Sequence, residues 1–292
     1  MTSQAYPIPN APPPELIRIV LVGDTVGKPG MNVVCLATRW LKQRLKAHLV
    51  IVNAENAADG TGLRQREYRR LIEAGVDAIT LGDHIYKKRE IIETLQSADN
   101  IVKPANFPAE APGKTWCVVQ TADGVQVAVI SIMGRVFMRP VDCPFSALKK
   151  VLEEIPKEVA LKIVDVHAEA TSDKQTLGRY FDGHVTAMLG THTHVTTADE
   201  RIFPQGTGFQ CDIGMTGSYE SILGREIAPV TLTTLTFEPA AFDVATGDVR
   251  LAATWIDADP ATGKCVAIGR VQWPLELIRT WDQEQAELMK RL

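Results

Sequence analysis

Histidines, carboxylates and one asparagine stand at the ends of short aliphatic runs in this chain. His192 and His194 lie two positions apart in the string GTHTH at 190–194. Because an extended chain alternates its side chains, both rings face the same side. The other candidates, each at or just past the end of such a run, are Asp24, Glu55, Asn56, Asp83, His84 and His167. A mixture of imidazole and oxygen donors favours Mn, Fe or Zn over Ca or Mg.

Such a set of side chains is suited to hydrolysis at a centre of two metal ions. Two ions about 3.5–4 Å apart lower the pKa of a bound water to about 7 and neutralise charge on a phosphoryl group during in-line attack. Each residue alone has a simpler explanation, since an aspartate after a strand usually caps the next helix. The joint occurrence at four separate strand ends is what favours a metal centre.

The elements that would position these side chains alternate along the first hundred residues. Apolar runs predict strands at 17–22, 49–52 and 78–81, and helical spacing predicts helices at about 31–46, 63–74 and 88–97. This β-α-β-α-β order favours an α/β fold with at least partly parallel strands. In open α/β sheets, ligands gather beyond the carboxyl ends of the strands, which is where the candidate side chains lie.

The rest of the chain predicts a mixed arrangement of strands. Asp123-Gly124 separates two apolar runs, 116–120 and 126–132, and predicts a hairpin. Further strands are predicted at 161–166 and 184–189, helices at 144–154, 171–182 and 275–292, and antiparallel strands within 229–273. A proline-rich start predicts a flexible lead-in over residues 1–15. The lack of a repeat or a clear linker favours a single domain over residues 16–292.

Composition disfavours several classes of protein. The 292 residues carry a net charge of −4, so strong nucleic-acid binding is not expected. No apolar stretch approaches the roughly 18 residues that cross a bilayer, so no membrane association is expected. Five scattered cysteines without a C-x-x-C pair fit the reducing cytoplasm.

Longer strings carry a resemblance to a known family. In chain order they are VGDTVGKPG, NAENAADGTGL, KPANFP, DVHAEATSDK, LGTHTHVTTAD and DIGMTGSYESILG. Together with the candidate ligands they resemble the calcineurin-like metallophosphoesterases, and more closely the YmdB-like bacterial phosphodiesterases. The resemblance covers residues 17–225 and, more weakly, the chain up to residue 271. It implies an α/β fold built as a four-layer α-β-β-α sandwich, in which two mixed β-sheets are flanked by helices.

The resemblance also implies a role for each matching residue. One metal ion would be held by Asp24, Glu55, Asn56 and His194. The other would be held by Glu55, Asp83, His167 and His192, with Glu55 bridging the two ions. His84 would act as a general acid, worth roughly 10²–10⁴-fold, or as a clamp on a phosphoryl oxygen. Thr216 and Gly217 are predicted to bind substrate, because a glycine-rich loop permits close approach.

The implied activity is metal-dependent hydrolysis of phosphodiesters, including cyclic nucleotides, by attack of a hydroxide that bridges two metal ions. Fe and Mn are the expected metals, and Zn is the alternative. A phosphomonoesterase is the alternative within the same class of enzyme. A weakly active, metal-bound regulatory or RNA-associated protein is the rival from another class. Besides a small phosphodiester substrate, we consider a second copy of the chain as a partner in a homo-oligomer.

Asp83 departs from the pattern of the family, which has asparagine at this position. An aspartate adds a full negative charge to the ligand set, which with Asp24, Glu55 and a hydroxide balances the charge of two divalent ions. A neutral centre attracts an anionic phosphate less strongly. We therefore expect tighter metal binding, with a ferric ion favoured at one site, and weaker activity or an altered substrate preference.

Overall fold

The computed structural model of the protein describes residues 8–291. Residues 8–15 form no helix or strand and are mostly exposed. Residues 1–7 of the predicted lead-in, and Leu292 at the end of the predicted last helix, lie outside the described residues. Within the described part of the chain, no helix combines the length and the apolar character that crossing a bilayer requires.

Strands and helices alternate through most of the described chain. The strands are β1 (Ile17–Val22), β2 (Asp24–Thr25), β3 (Leu49–Asn53), β4 (Ala78–Thr80), β5 (Ile101–Val102), β6 (Trp116–Gln120), β7 (Gln126–Met133), β8 (Leu161–His167), β9 (Ala187–Thr191), β10 (Arg201–Ile202), β11 (Gly208–Gln210), β12 (Met215–Ser218), β13 (Val249–Asp259) and β14 (Lys264–Pro274). The helices are α1 (Gly27–Arg44), α2 (Gln65–Glu73), α3 (Ile91–Ser97), α4 (Pro144–Glu154), α5 (Thr171–Tyr180), α6 (Ile227–Thr236) and α7 (Leu275–Arg291).

The strands form two mixed sheets. The first has the order β2-β12-β13-β1-β3-β4-β5, with β14 also paired to β13. Strands β1, β3, β4 and β5 are parallel, whereas β13 runs antiparallel to β1. The second sheet has the order β10-β11-β9-β8-β7-β6, with β7, β8, β9 and β11 parallel and antiparallel strands at both edges. Each sheet therefore contains a parallel centre whose strands end at one edge.

Alternate side chains of β1 show how the layers pack. Ile17, Ile19 and Leu21 belong to a buried apolar cluster shared with β8 and β9 of the other sheet. Val20 and Val22 point the opposite way, into a second cluster with α1 and α7. A third cluster joins the outer face of the second sheet to α4 and α5. The order helix, sheet, sheet, helix confirms the four-layer α-β-β-α sandwich that the resemblance implies.

The structure also corrects part of the prediction for the last third of the chain. Strands β13 and β14 confirm antiparallel pairing there, with a turn at Thr262-Gly263-Lys264 between them. The prediction of strands is wrong for α6, which is a helix. Its threonines and valine favour strands by composition. The hydroxyls of Thr234 and Thr236 instead bond the backbone carbonyls four residues earlier, as threonine does within helices.

A buried ion pair fastens β1 to β13 at the end away from the candidate ligands. Arg18 and Asp257 are directly opposite in the strand register, and both carboxylate oxygens accept hydrogen bonds from the guanidinium, at 2.6 and 2.7 Å. The same guanidinium donates to the carbonyl of Leu45 and stacks over Trp255. Removing one member of such a pair leaves an uncompensated charge inside the protein.

Asp257→Ala is expected to lower the free energy of unfolding by about 3–5 kcal/mol, because the Arg18 cation stays buried without its carboxylate. Urea denaturation followed by circular dichroism measures the change. Glu284→Ala is the matched control, since Glu284 pairs with Arg44 at the surface and its loss should cost at most about 1 kcal/mol. Equal losses in the two variants would contradict this account of the pair.

Candidate metal centre

The carboxyl ends of five parallel strands bring the candidate ligands together. Asp24 follows β1, Glu55 and Asn56 follow β3, and Asp83 follows β4 in the first sheet. His167 is the last residue of β8, and His192 and His194 follow β9 in the second sheet. The two sheets are stacked, so these groups meet in the space between the two strand edges. All seven residues are buried or partly buried.

Four of these residues form one compact group. Ligand atoms of Glu55, Asp83, His167 and His192 all lie within 4.8 Å of one another. Nε2 of His167 lies 3.2 Å from Oε1 of Glu55 and 3.2 Å from Oδ1 of Asp83. It also lies 3.1 Å from Nδ1 of His192. Two carboxylates and two imidazole nitrogens at these separations form a donor set of the kind that binds a transition metal ion.

The remaining three candidates adjoin this group on the other side of Glu55. Nε2 of His194 lies 3.2 Å from Nδ2 of Asn56 and 3.9 Å from Oδ1 of Asp24. Oδ1 of Asp24 is buried and has no hydrogen-bond partner among the described residues. The side chain of Asn56 in turn contacts Oε1 of Glu55 at 3.2 Å. An unsatisfied buried carboxylate oxygen beside an imidazole nitrogen is what a second cation site would show.

His167 is held in one tautomer by a chain of hydrogen bonds. The hydroxyl of Thr191 donates to Oδ1 of Asp165 at 2.6 Å, so it accepts from Nδ1–H of His167 at 2.8 Å. Nε2 is therefore the unprotonated nitrogen of the neutral ring, and it faces Glu55 and Asp83. A second hydrogen bond of this kind orients a ligating histidine and raises its basicity.

The other two histidines are oriented in the same way. Nε2 of His192 lies 3.2 Å from a carboxylate oxygen of Glu169, which leaves Nδ1 to face the cluster. Nδ1 of His194 donates to the carbonyl of Leu223 at 3.0 Å, which leaves Nε2 to face Asp24. In each of the three rings, one nitrogen therefore lies at an acceptor and the other faces the cluster.

The loop that carries His192 and His194 is held in an unusual backbone conformation. Both residues have positive φ angles, 99° and 65°, which costs about 1–3 kcal/mol for each residue that is not glycine. The backbone N–H of His192 donates to Asp24 at 2.9 Å. Asp212 accepts from both the N–H and the hydroxyl of Thr193, and is itself paired with the buried Lys174 at 2.7 Å. These contacts offset the strain and keep both imidazoles turned inward.

The pKa values show that the cluster concentrates negative charge. Burial raises the pKa of Asp24 to about 6. Although burial opposes it, the carboxylates of Glu55 and Asp83 raise the pKa of His167 well above its usual value. Burial, together with the neighbouring His167, lowers the pKa of His192 to about 4, so this ring is neutral at pH 7. The same carboxylates that stabilise a proton on the buried imidazole would also stabilise a metal cation at this place.

His84 lies at the open side of the cluster. Its backbone N–H donates to Oε2 of Glu55 at 3.1 Å. Nδ1 of its ring donates to the side-chain carbonyl of Asn56 at 2.6 Å, which leaves Nε2 for other partners. The side chain is 31% exposed and lines a cleft of about 290 Å³.

The cleft contains residues that the sequence analysis did not select. Beyond the candidate ligands, its walls are formed by Gly60, Glu169, Thr193, Leu223 and Arg225. Glu169 follows His167 by two positions in the string HAE, and that spacing is a signal that could have found it. A larger groove of about 1030 Å³ lies beside β6 and α4, but none of the candidate ligands lines it.

Thr216 and Gly217 are not among the residues that line the cleft. Thr216 is fully buried on β12, and its hydroxyl is bonded to the carbonyl of Ala252. Gly217 packs against Val26, where a Cβ would come within 3.2 Å of that side chain. Both residues pack in the interior, where β12 lies against the start of α1. Their positions give no support to the prediction that they bind substrate.

Two mixed sheets with carboxylates and imidazoles at their shared edge define the class of metallophosphoesterases. Comparison with known proteins gives the family. The family model described as YmdB-like protein matches residues 20–271. The chain belongs to this YmdB-like family.

Similar proteins of known activity or structure support the same assignment. The 2′,3′-cyclic-nucleotide 2′-phosphodiesterase of Bacillus subtilis is 44% identical over 255 residues, which are 87% of this chain and 96% of that protein. A hypothetical protein from Thermus thermophilus superimposes with a TM-score of 0.83 at 41% identity, covering 88% of this chain and 99% of that chain. A phosphatase structure from Mycoplasma pneumoniae gives a TM-score of 0.81 at 30% identity, covering 89% and 94%.

Thr191→Val is expected to weaken metal binding by about 10–100-fold, because the ring of His167 loses the acceptor that fixes its tautomer. Competition with a chromophoric chelator measures the affinity. Thr186→Val is the matched control: Thr186 is equally buried just before the other end of β9, and its hydroxyl bonds the carbonyl of Gly263. If both variants bind metal as the wild type does, Thr191 does not orient a ligand.

Proposed function

We propose that the protein is a metal-dependent phosphodiesterase that hydrolyses 2′,3′-cyclic nucleotides. One observation carries the proposal. The rings of His167, His192 and His194 each direct one nitrogen toward a buried group of carboxylates, while the other nitrogen of each ring lies at an acceptor elsewhere. The relative from Bacillus subtilis, a 2′,3′-cyclic-nucleotide 2′-phosphodiesterase, supports the choice of substrate.

The residues present fit two metal ions. In our proposal, Glu55, Asp83, His167 and His192 hold one ion, and Asp24, Glu55, Asn56 and His194 hold the other. Bound ions would supply a nucleophilic water of lowered pKa and charge neutralisation for the phosphoryl group. Iron or manganese suits the mixed nitrogen and oxygen donors, with zinc as the alternative.

His84 is proposed as the general acid. Since Nδ1 is bonded to Asn56, Nε2 is the atom that would carry the transferable proton. In hydrolysis at the 2′ ester, a water that has lost one proton to solvent would form a bond from its oxygen to phosphorus. The bond from phosphorus to O2′ would break, and O2′ would take the proton from Nε2. The phosphate then remains on the 3′ oxygen. Glu55 positions His84 by accepting its backbone N–H.

Asp83 supports a second candidate, a metal-bound protein of low turnover with a regulatory role. Its carboxylate lies 3.2 Å from Nε2 of His167, within the group that would bind the first ion. An extra negative ligand strengthens metal binding and reduces the attraction for an anionic substrate.

In either role we place the protein in the cytoplasm, because its five cysteines form no disulfide.

The proposed activity is tested by stripping the protein of metal, refilling it with Mn²⁺ or Fe²⁺, and comparing a chromogenic phosphodiester with its monoester. Metal-dependent cleavage of the diester in preference to the monoester supports a phosphodiesterase. Preferential cleavage of the monoester would replace it with a phosphomonoesterase. No cleavage by protein shown to contain two metals per chain would favour the regulatory role.

His84→Asn is expected to lower the turnover of a 2′,3′-cyclic nucleotide by about 10²–10⁴-fold, because the leaving O2′ loses its proton donor. Steady-state kinetics measures turnover, and elemental analysis should find the metal content unchanged. His184→Asn is the control, since His184 is packed near Phe181 away from the cleft and should keep full activity. Unchanged turnover in His84→Asn would remove the general-acid role.

Asp83→Asn is expected to weaken metal binding by at least about tenfold and to raise turnover at saturating metal, because one negative charge leaves the ligand set. A metal titration followed by a kinetic assay measures both quantities. Asp59→Asn, which changes an exposed carboxylate near the cleft, should alter neither. The proposed effect of Asp83 fails if turnover and metal affinity of the Asp83 variant both equal those of the wild type.

A further inference from the structure

A group of positively charged side chains adjoins the cleft on the side of Gly60 and His84. Residues 59–73 and 87–93, which we call the basic surface, contain seven cations: Arg64, Arg66, Arg69, Arg70, Lys87, Lys88 and Arg89. The same two segments contain five carboxylates: Asp59, Glu67, Glu73, Glu90 and Glu93. The basic surface therefore has an excess of positive charge, although the whole chain has a net charge of −4.

Most of these cations extend into solvent. Five of them are exposed: Arg66, Arg69, Arg70, Lys87 and Arg89. The side chains of Arg69, Lys87 and Arg89 form no ion pair or hydrogen bond with another described residue. A cation without a fixed partner can bind a phosphate group without first losing an ion pair within the protein. Arginine adds a fork of N–H groups that matches the geometry of phosphate oxygens.

Asp59 joins the basic surface to the wall of the cleft. Its carboxylate accepts a hydrogen bond from Arg64 and lies 3.6 Å from Nζ of Lys88. The next residue, Gly60, lines the cleft. The two segments of the basic surface therefore meet directly behind this wall of the cleft.

The topology of the first sheet places the cations at the same edge as the candidate ligands. Helix α2 follows β3, and the segment 84–90 follows β4, so both begin near the carboxyl ends of parallel strands. The backbone N–H of Lys87 donates to the carbonyl of His84 at 2.9 Å, one turn beyond the proposed general acid. Arg70 follows the first residue of α2 by only roughly 8 Å along the helix axis.

We propose that the substrate is the 3′ end of a short RNA that terminates in a 2′,3′-cyclic phosphate, with the phosphates upstream of this end bound by the basic surface. The inference rests on the proposed function of the cleft. A cleft of about 290 Å³ is at the small end of ligand pockets, so the upstream nucleotides would lie outside it. Ribose carries the 2′ oxygen that such a phosphate requires, and this distinguishes RNA from DNA.

The chemistry of this end also defines the class of reaction that supplies it. When the 2′ hydroxyl of RNA attacks the adjacent phosphorus, a bond from O2′ to phosphorus forms and the bond to the next O5′ breaks. The proton of the hydroxyl passes to that O5′, and the upstream fragment retains the cyclic phosphate. The protein would therefore act on the products of RNA cleavage by transesterification.

The number of unpaired cations sets the expected strength of the interaction. If Arg69, Lys87 and Arg89 each neutralise one phosphate of a single strand, the logarithm of the affinity falls with the logarithm of the salt concentration with a slope of about −2. This slope corresponds to a loss of about 20-fold between about 50 and 200 mM salt. A contact limited to a few phosphates is compatible with a chain that is acidic overall, whereas strong binding along a long nucleic acid is not.

Kinetics on two substrates tests the proposal with the Mn²⁺-loaded full chain. The substrates are adenosine 2′,3′-cyclic phosphate and an RNA tetranucleotide that ends in the same cyclic phosphate. At low salt, kcat/KM is expected to be at least about tenfold higher for the tetranucleotide, with the salt dependence given above. In the triple variant Arg69→Ala, Lys87→Ala and Arg89→Ala, both the preference and the salt dependence should disappear.

The matched control removes the same charge elsewhere. Lys150, Lys157 and Arg279 are exposed and do not line the cleft, so their triple replacement by alanine should keep the preference for the tetranucleotide. Cleavage of both substrates with equal kcat/KM would overturn this inference and leave the proposed phosphodiesterase intact. Cleavage of neither substrate would overturn both. A preference that persists in the first triple variant, or is lost in the control, would refute the assignment to the basic surface.

Discussion

The carboxylate of Asp165 ties the two sheets together beneath the candidate metal ligands, and the geometry of the site depends on it. Asp165 is fully buried on β8, and Oδ2 accepts from Asn53 and Thr80 of the opposite sheet. Oδ1 accepts from Thr191 on β9, whose hydroxyl in turn receives Nδ1–H of His167. Burial raises the pKa of Asp165, but three donors satisfy its charged form. One buried carboxylate thus helps to set both the distance between the strand edges and the tautomer of His167, a candidate ligand.

The positions of the candidate ligands follow from the sequence because they depend on strand ends, which apolar runs mark well. The groups that orient these ligands could not be predicted in this way. Asp165 and Thr191 are single polar residues within strands, and their roles become clear only when the two sheets are packed together. The positive φ angles of His192 and His194 likewise could not be predicted from the sequence, because the groups that hold this loop, Asp24 and Asp212, lie elsewhere in the chain. The prediction for α6 was wrong for a similar reason. Its composition favours a strand, but threonine hydroxyls donate to backbone carbonyls four residues earlier within the helix.

Negative charge is concentrated at this centre. Asp24, Glu55 and Asp83 gather in a buried space where the pKa of His167 rises well above normal. A carboxylate is costly to bury without a positive charge beside it. A metal cation at this edge would supply such a charge, so we expect metal binding to stabilise this edge of the fold.

The most direct test of the account is an anomalous diffraction map from crystals of the protein soaked in Mn²⁺. The account predicts two peaks on either side of Glu55. One should contact Asp83, His167 and His192, and the other should contact Asp24, Asn56 and His194. A single peak, or peaks away from these residues, would contradict the proposed dinuclear centre.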